Sequence, residues 1–529
     1  MAPAEFSTGL RVAPPLAVGA LPRLWLPDLS AMLAVVTLAY CLFVFGAGTQ
    51  LFRDADSGWH IRNGEWILDH HALPRTDPYS FSKAGQPWIQ WEWGSDVLMG
   101  LAHRLDGLRG VTAFNGLAIA LCIWMCCRLH FAAGGDFFLT ALLAPLIVTT
   151  TSLHWLARPH VIGWLFLLGA VLYCERAPAR FDRRQLAAVA AVGAVWANLH
   201  GSFIIGPLIA LLYAIGHLLR WFFWPLDALA EKERARGFLQ VALASLAGSL
   251  LNPYGWRLHA HVISYLRDEA LTSRVAEFQS FNFHDKDAHQ VALTLVLALA
   301  GGLLALSQKQ VGRFLVITLL VWEGLVSARV LPLVALLGLP LANASFAAAW
   351  RGARHLRSSL QRKMDAALRY SDRLRQFDRQ VRGTAFCAVA VLLLLLALRT
   401  PAYSSRIGFP PDRFPVKAAA EVAKLPAGAR LLAPDSFGGY LIYRFDGARK
   451  VFFDGRSDFY GAAFMKQYLV LVNARPGWQE IVRAYGFTNA LVPSDSALKA
   501  ALEQAGWATI YEDDVATLLE VGQAAAERR

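Results

Sequence analysis

Residues 31–52 read AMLAVVTLAYCLFVFGAGTQLF, and the chain then turns at once to Arg53-Asp54-Ala55-Asp56-Ser57-Gly58-Trp59-His60-Ile61-Arg62-Asn63-Gly64-Glu65. The first stretch has the length and apolarity a helix needs to cross a hydrocarbon core of about 30 Å. The second sets two carboxylates one residue apart where such a helix leaves the bilayer, which is costly unless they are solvated, paired or metal-bound. Apolar runs alternating with polar connections recur along the chain, near 109–128, 137–154, 161–175, 185–198, 201–220, 238–252, 291–307, 313–328, 330–348 and 384–398. The expected fold is mostly α: a polytopic transmembrane bundle of about eleven spans, followed by a C-terminal soluble α/β domain.

Composition agrees. Of 529 residues, 56% are hydrophobic and 17% charged, against about a quarter charged in a typical soluble domain. The net charge of +12 sits in short connections between apolar runs, where basic residues act as topology signals. No basic stripe or stacking surface of the kind that marks a nucleic-acid binder occurs. The six cysteines, Cys41, Cys122, Cys126, Cys127, Cys174 and Cys387, all fall inside apolar runs, which suits packing rather than disulfides or thiolate metal sites. Residues 1–30 are Pro- and Ala-rich without a cleavage pattern, so they read as a cytoplasmic tail and the first run as a retained anchor.

The positive-inside rule assigns the orientation. It places 129–136, 176–184, 221–237, 308–313 and 349–383 in the cytoplasm, and the large loops 53–108 and 253–290 outside. The transmembrane domain then covers 31–350, a basic cytoplasmic segment 351–383, the last span 384–398, and the domain 400–529 lies outside. From Arg351 to Arg382 there are ten basic and three acidic residues, a pattern that suits a surface helix on anionic head groups.

Within the spans Glu323 is the main ionisable residue, so the paired mid-membrane charges of transporters are missing. Polar residues gather instead at the outward connections: His154, Arg158 and His160; Asn198 and His200; Asn252, Tyr254 and Arg257; Glu277; and Arg329. Helix ends from distant parts of the chain are expected to meet in one cavity with Asp54, Asp56, His60 and Glu65. Each motif also has a purely structural reading. Asn252-Pro253-Tyr254-Gly255 makes a helix stop and turn, His200 before Gly201 a hairpin cap, and Arg158-Pro159 a head-group anchor.

Beyond Pro415 the pattern changes to short elements. Expected strands are 430–433, 450–453, 489–492, 509–511 and 516–520, with helices over 461–473, 478–485 and 495–504. An apolar strand delivering Asp454, Arg456 and Asp458 at its end stands where α/β sheets place ligands. The alternative is an Asp454–Arg456 pair that fixes a tight Gly455 turn.

These stretches carry a family resemblance: Asp54 to Glu65, Leu73 to Phe81, Trp91-Glu92-Trp93, Ala157 to His160, Trp196 to Gly201, Leu251 to Gly255 and Phe453 to Arg456. The chain resembles a group of bacterial polytopic membrane proteins related to the GT-C glycosyltransferases, which include protein O-mannosyltransferases and aminoarabinose transferases. The resemblance implies a site on the outer face of the bacterial inner membrane. There a sugar would pass from a polyprenyl-phosphate donor to an envelope glycan, lipid or protein acceptor. Asp54 or Asp56 would be the catalytic base. Arg158, Arg257 and Arg329 would face the leaving phosphate. His60, Glu65, His154, His160, Asn198, His200, Asn252 and Tyr254 would bind donor or substrate, and Asp454, Arg456 and Asp458 the acceptor. A divalent ion, Mg or Mn, held by Asp54 and Asp56 is the one cofactor this reading allows. The other readings are a non-catalytic envelope scaffold or glycan-assembly subunit and, third, a lipid or glycan transporter.

Overall fold

The computed structural model describes residues 19–46, 49–178, 180–224, 227–353 and 357–522. Residues 1–18 of the expected N-terminal tail, and 523–529 of the C-terminal domain, lie outside the described residues.

The Asp28 carboxylate accepts the Ala31 N–H at 2.8 Å and so caps α1 (Leu29–Ala39). The helix continues as a π turn through Val44, short of the 52 expected. The first loop then carries a helix of its own, α2 (Asp56–His70). Next comes α3 (Trp93–Ala132), interrupted at Asp106 and at Gly107, whose φ is +57°. Its first part therefore stands with the loop, and the remainder forms the apolar run. The bundle continues with α4 (Phe137–Ser152), α5 (His160–Glu175), α6 (Arg183–Leu199), α7 (Ile205–Phe223), α8 (Ala228–Ser249), α9 (Trp256–Arg267), α10 (Ala288–Ser307), α11 (Val311–Val326) and α12 (Leu339–Gly352). A basic helix α13 (Ser358–Asp378) and the apolar α14 (Thr384–Ala397) follow.

Among the described residues, five helical stretches are long and apolar enough to cross a membrane: Leu21–Val44, Trp93–Ala132, Gly201–Phe223, Ala288–Ser307 and Ala328–Gly352. Phe137–Ser152, His160–Glu175 and Thr384–Ala397 are shorter apolar helices. The first turns of α6 and α8 carry Arg183-Arg184 and the charged run Glu231–Arg236, which shortens their apolar portions. The chain is thus mostly helical and multi-pass in character.

The C-terminal part holds a four-stranded sheet in the order β1-β2-β4-β3. Here β1 (Leu431–Leu432) is parallel to β2 (Asn489–Pro493), and β4 (Ala516–Val521) is antiparallel to both β2 and β3 (Trp507–Glu512). Its helices are α15 (Asp435–Arg444), α16 (Ser457–Val472), α17 (Trp478–Tyr485) and α18 (Ala497–Gln504). Two differences from expectation decide how this part sits.

The stretch 450–453 is extended but belongs to no strand of the sheet. Val451 N–H donates to Tyr79 O, and Phe81 N–H donates to Val451 O, both at 3.0 Å, so it pairs with the first loop. Helix α15 was not expected, because Gly438-Gly439 lowers its propensity. It is held by packing on α2. A Cβ on Gly58 would stand 2.1 Å from Gly439 O, and one on Gly439 would stand 2.2 Å from Ala55 O. Only glycine at both positions lets the two backbones approach this closely. The C-terminal part is therefore docked on the first loop rather than tethered beside it.

Candidate functional site

Arg53 fixes the start of the first loop. Its guanidinium donates to the carbonyls of Gln50, Trp155, Ser152 and Leu153, closing the C-terminal end of α4. Ala157 N–H donates to Leu51 O at 2.8 Å and brings the α4–α5 hairpin alongside. Arg158 thereby reaches the first-loop acids. Its Nη1 stands 2.9 Å from Asp54 Oδ2 and 2.6 Å from Glu277 Oε1, and its Nη2 3.1 Å from Asp56 Oδ2. Arg329 faces the other oxygen of Glu277 at 3.6 Å.

Three carboxylates share Arg158, and the electrostatics sort them. Burial opposes the charge on Arg158, but Glu277, Asp54 and Asp56 together hold it protonated well above its ordinary range. Burial also opposes the charge on Glu277, yet Arg158 and Arg329 hold it below the usual carboxylate range. Asp56 is the one left over. Burial and the neighbouring Asp54 push it up to about 8, against the pull of Arg158 and the Trp59 indole N–H.

These groups line a cavity of about 590 Å³, within the range of small-molecule sites. One wall is the first loop, with Trp59, His60, Trp88, Gln90, Trp91 and Glu92. Another is the segment from Tyr265 to Glu277 with Arg329, and the C-terminal part closes it with Arg413, Asp435 and the stretch from Gly455 to Asp458. Docking on that side is secured by a buried ion cluster. Arg456 donates to both oxygens of Asp454, at 2.8 and 2.7 Å, and to Asp77 Oδ1 of the first loop at 2.8 Å. All three residues are at most 5% exposed, and the guanidinium lies 4.4 Å from the Trp88 ring centroid. A Cβ on Gly455 would stand 1.8 Å from Asp56 Oδ1, so glycine is what lets this turn meet the first-loop acid.

Behind Asp56 runs a buried polar chain. His60 Nδ1 stands 2.6 Å from Asp96 Oδ1, and Asn63 donates to Asp96 Oδ2 at 2.6 Å. Glu92 sits between two imidazoles, 3.2 Å from His200 Nε2 and 4.0 Å from His60 Nε2. Ser202 N–H donates to His200 Nδ1, which leaves the proton of the neutral ring on Nε2, facing Glu92. Burial keeps both rings neutral, pushing His60 down to about 3 and His200 well below its ordinary value.

Of the residues expected at the site, Asp54, Asp56, His60, Arg158, Arg329, Arg456 and Asp458 line the cavity. His200 reaches it through Glu92, and Asp454 through Arg456. The others stand elsewhere. Glu65 binds Arg62 and His103, within the seam against Tyr443 and Asp446 of the C-terminal part. His160 donates from Nε2 to His154 O at 2.7 Å, which ties off the hairpin; His154 itself is half-buried, and desolvation of its ring pushes it down to about 4. Asn198 bridges Trp93 Nε1 and Leu251 O. Asn252 closes its own turn, accepting from Tyr254 N–H and donating to Ser249 O and Gly255 O. The Tyr254 hydroxyl accepts Gln90 N–H at 3.0 Å, and Arg257 is exposed outside the lining. Glu277, expected at an outward connection, also lines the cavity, whereas Glu92, Asp96 and Asp435 were not read from the sequence as site features. A lone acid between two tryptophans, in Trp91-Glu92-Trp93, was the available signal for Glu92.

The donor set does not fit a metal centre as it stands. Asp54 and Asp56 both face the Arg158 guanidinium, and among the described residues no three His, Cys, Asp or Glu side chains are grouped to hold an ion.

No protein-family model and no curated protein matches the chain. Solved structures do. The oligosaccharyltransferase of Archaeoglobus fulgidus in the apo form matches with a TM-score of 0.53 and 12% identity, over 88% of this chain and 69% of that one. Oligosaccharyltransferase AglB from the same organism, in complex with an inhibitory peptide and a dolichol-phosphate, matches at 0.52 and 11%, over 93% and 74%. ArnT from Cupriavidus metallidurans bound to undecaprenyl phosphate gives 0.49 and 13%, over 92% and 97%. These neighbours are GT-C glycosyltransferases, and at such identities the likeness to the two oligosaccharyltransferase structures is one of fold.

Proposed function

We propose that the chain is a membrane glycosyltransferase of the GT-C kind. It would move a sugar from a polyprenyl-phosphate donor to an envelope glycan, lipid or protein acceptor on the outer face of the bacterial inner membrane. The observation that carries this reading is the convergence of Asp54, Asp56, Arg158 and Glu277 on a cavity closed by the C-terminal part. The fold shared with the oligosaccharyltransferase structures supports it, as does the dolichol-phosphate bound in one of them. The reading keeps eleven spans, an N-terminus inside and the domain 400–529 outside. A cysteine at Ser82 or Ser494 should then react with an impermeant thiol reagent in intact spheroplasts, whereas labelling only after lysis would reverse the orientation.

The roles follow from the electrostatics. Asp56, poised near the working pH, accepts the proton of the acceptor hydroxyl as its oxygen attacks the anomeric carbon. The bond from that carbon to the donor phosphate oxygen breaks in line, with inversion, and the lipid phosphate leaves carrying the electron pair. Asp54 and Glu277 hold Arg158 in place. Arg329, with Arg274 and Arg413 in the lining, offers guanidinium donors to the departing phosphate. Asp458, held by His261 at 3.0 Å, stands on the acceptor side.

One feature also suits a scaffold: a saturated ion cluster around Arg158 is what a structural brace would show. Turnover separates the two. Purified protein supplied with polyprenyl-phosphate-linked sugars and acceptor-bearing extract of the cell envelope should release polyprenyl phosphate, and a scaffold would release none.

A further inference from the structure

At the end of the bundle opposite the cavity, a second hollow of about 630 Å³ opens between α1, α3 and α14. Small residues make it: Ala31 and Ala34 on α1 and Ala120 on α3 leave space where larger side chains would close the helices together. Helix α14 forms one side of that space through Thr384, Cys387 and Val391, and none of its residues is fully buried. Along α3 the lining runs from Leu117 to Arg128, about 16 Å at the helical rise of 1.5 Å per residue. That is about half of a 30 Å hydrocarbon core, the depth of a single leaflet.

The mouth is polar and mainly cationic. Asp28, Arg128 and Arg382 stand there. One oxygen of Asp28 is committed to the α1 cap, and the other is 3.5 Å from Arg128. The Arg128 side chain is one-third exposed and lies over the Trp124 ring. Arg382 is exposed, and its side chain makes no ion pair among the described residues. Each guanidinium has five N–H donors, so Arg128, 3.5 Å from one partly used carboxylate, and Arg382 both keep donors to spare. The basic helix α13 enters the same end, with Asp378 accepting Leu29 N–H of α1.

We propose that this groove binds one anionic phospholipid of the leaflet on that side, with an acyl chain along Ala31, Ala34 and Ala120 and the phosphate on Arg128 and Arg382. The apolar trough takes a chain, and the two guanidiniums favour a net-negative head group over a zwitterionic one. The lipid would fill the space left beside the contacts that Val391, Leu394 and Leu395 of α14 make with Leu38, Leu42 and Ala120, and α14 is the helix that leads into the C-terminal part. This inference concerns a site remote from the cavity and stands whether or not the chain is a transferase.

Native mass spectrometry of the full-length, detergent-purified protein tests it, with phosphatidylglycerol and phosphatidylcholine added in competition. One phosphatidylglycerol should be retained per chain, with a preference of about tenfold or more. The double variant Arg128→Gln, Arg382→Gln should lose that preference. Ala34→Trp should abolish retention with both arginines present, and Arg373→Gln on the exposed face of α13 should change nothing. Should the double variant fail to fold, Ala34→Trp and the wild-type competition decide on their own. Equal retention of the two lipids, retention unaffected by Ala34→Trp, or displacement by inorganic phosphate alone would overturn the proposal.

Discussion

Replacing Arg456 with methionine should separate the C-terminal part from the first loop while leaving each locally folded. The arginine neutralises two carboxylates, Asp454 and Asp77, that are 0% and 5% exposed and belong to different parts of the chain. Methionine keeps much of the packing over Trp88 but leaves both acids without a cation. Breaking one side of a buried pair typically costs about 3–5 kcal/mol, and each 1.4 kcal/mol is about a tenfold change in an equilibrium. The undocked population should therefore rise by about two to three orders of magnitude. Hydrogen exchange followed by mass spectrometry reads this directly at residues 76–81 and 450–456, whose amides Phe81 and Val451 are bonded across the seam. Protection there should fall in Arg456→Met while β2 and β4 stay protected. The triple change Asp77→Asn, Asp454→Asn, Arg456→Met should recover much of the loss, because no unpaired charge remains. Wild-type protection in Arg456→Met, or uniform loss through the sheet, would refute the view of this cluster as the lock.

Other expectations concern the same seam and the acids. Gly58→Ala places a methyl about 2 Å from Gly439 O, so it should lower the melting temperature and loosen the same amides; an unchanged melt would contradict the close packing of α2 on α15. Asp56 titrates near 8 when folded, above its unfolded value near 4. The folded state thus binds more protons across that interval, and Asp56 makes stability fall as pH rises from about 4 to about 8. Asp56→Asn should flatten this slope in denaturant melts taken at several pH values, and an identical slope would contradict the shift. Arg158→Ala leaves Asp54, Asp56 and Glu277 facing one another, and should both destabilise the protein and weaken binding of the proposed polyprenyl-phosphate donor; Arg158→Lys, unable to serve three carboxylates at once, should recover only part of either.

The apolar helices were legible because runs of about twenty apolar residues have few alternatives to spanning a bilayer. The basic segment 351–382 and the C-terminal change of pattern at Pro415 were legible because composition shifts abruptly there. The docking was not. Residues 450–453 read as an extended apolar stretch, but a strand's partner is not written in its own residues, and here the partner is Tyr79–Phe81 of the first loop. Asp454 and Arg456 suggested either a ligand or a turn, whereas Asp77, distant in sequence, makes them a lock. The site was legible in part, for a definite physical cause. Residues that end helices and residues that bind polar ligands are of the same types, so Asn198, Asn252 and His160, which serve carbonyls and turns, cannot be told from Asp56 or Arg158 by spacing alone. Charge was the better discriminator, since a buried carboxylate or guanidinium demands a partner that a capping amide does not.

Turnover by Asp56→Asn, measured beside wild type, tests the account most directly. Both proteins would be given envelope-extracted polyprenyl-phosphate-linked sugars together with an envelope extract as the source of acceptor, and release of polyprenyl phosphate would be followed from pH 6 to pH 9, at roughly equal expression and with polyprenyl phosphate binding checked in parallel. The wild-type rate should climb with pH toward about 8 as Asp56 ionises, and the Asn variant should be slower by about a hundredfold or more with binding of the lipid phosphate retained. An Asn variant that releases polyprenyl phosphate at the wild-type rate, with the same pH profile, would contradict it.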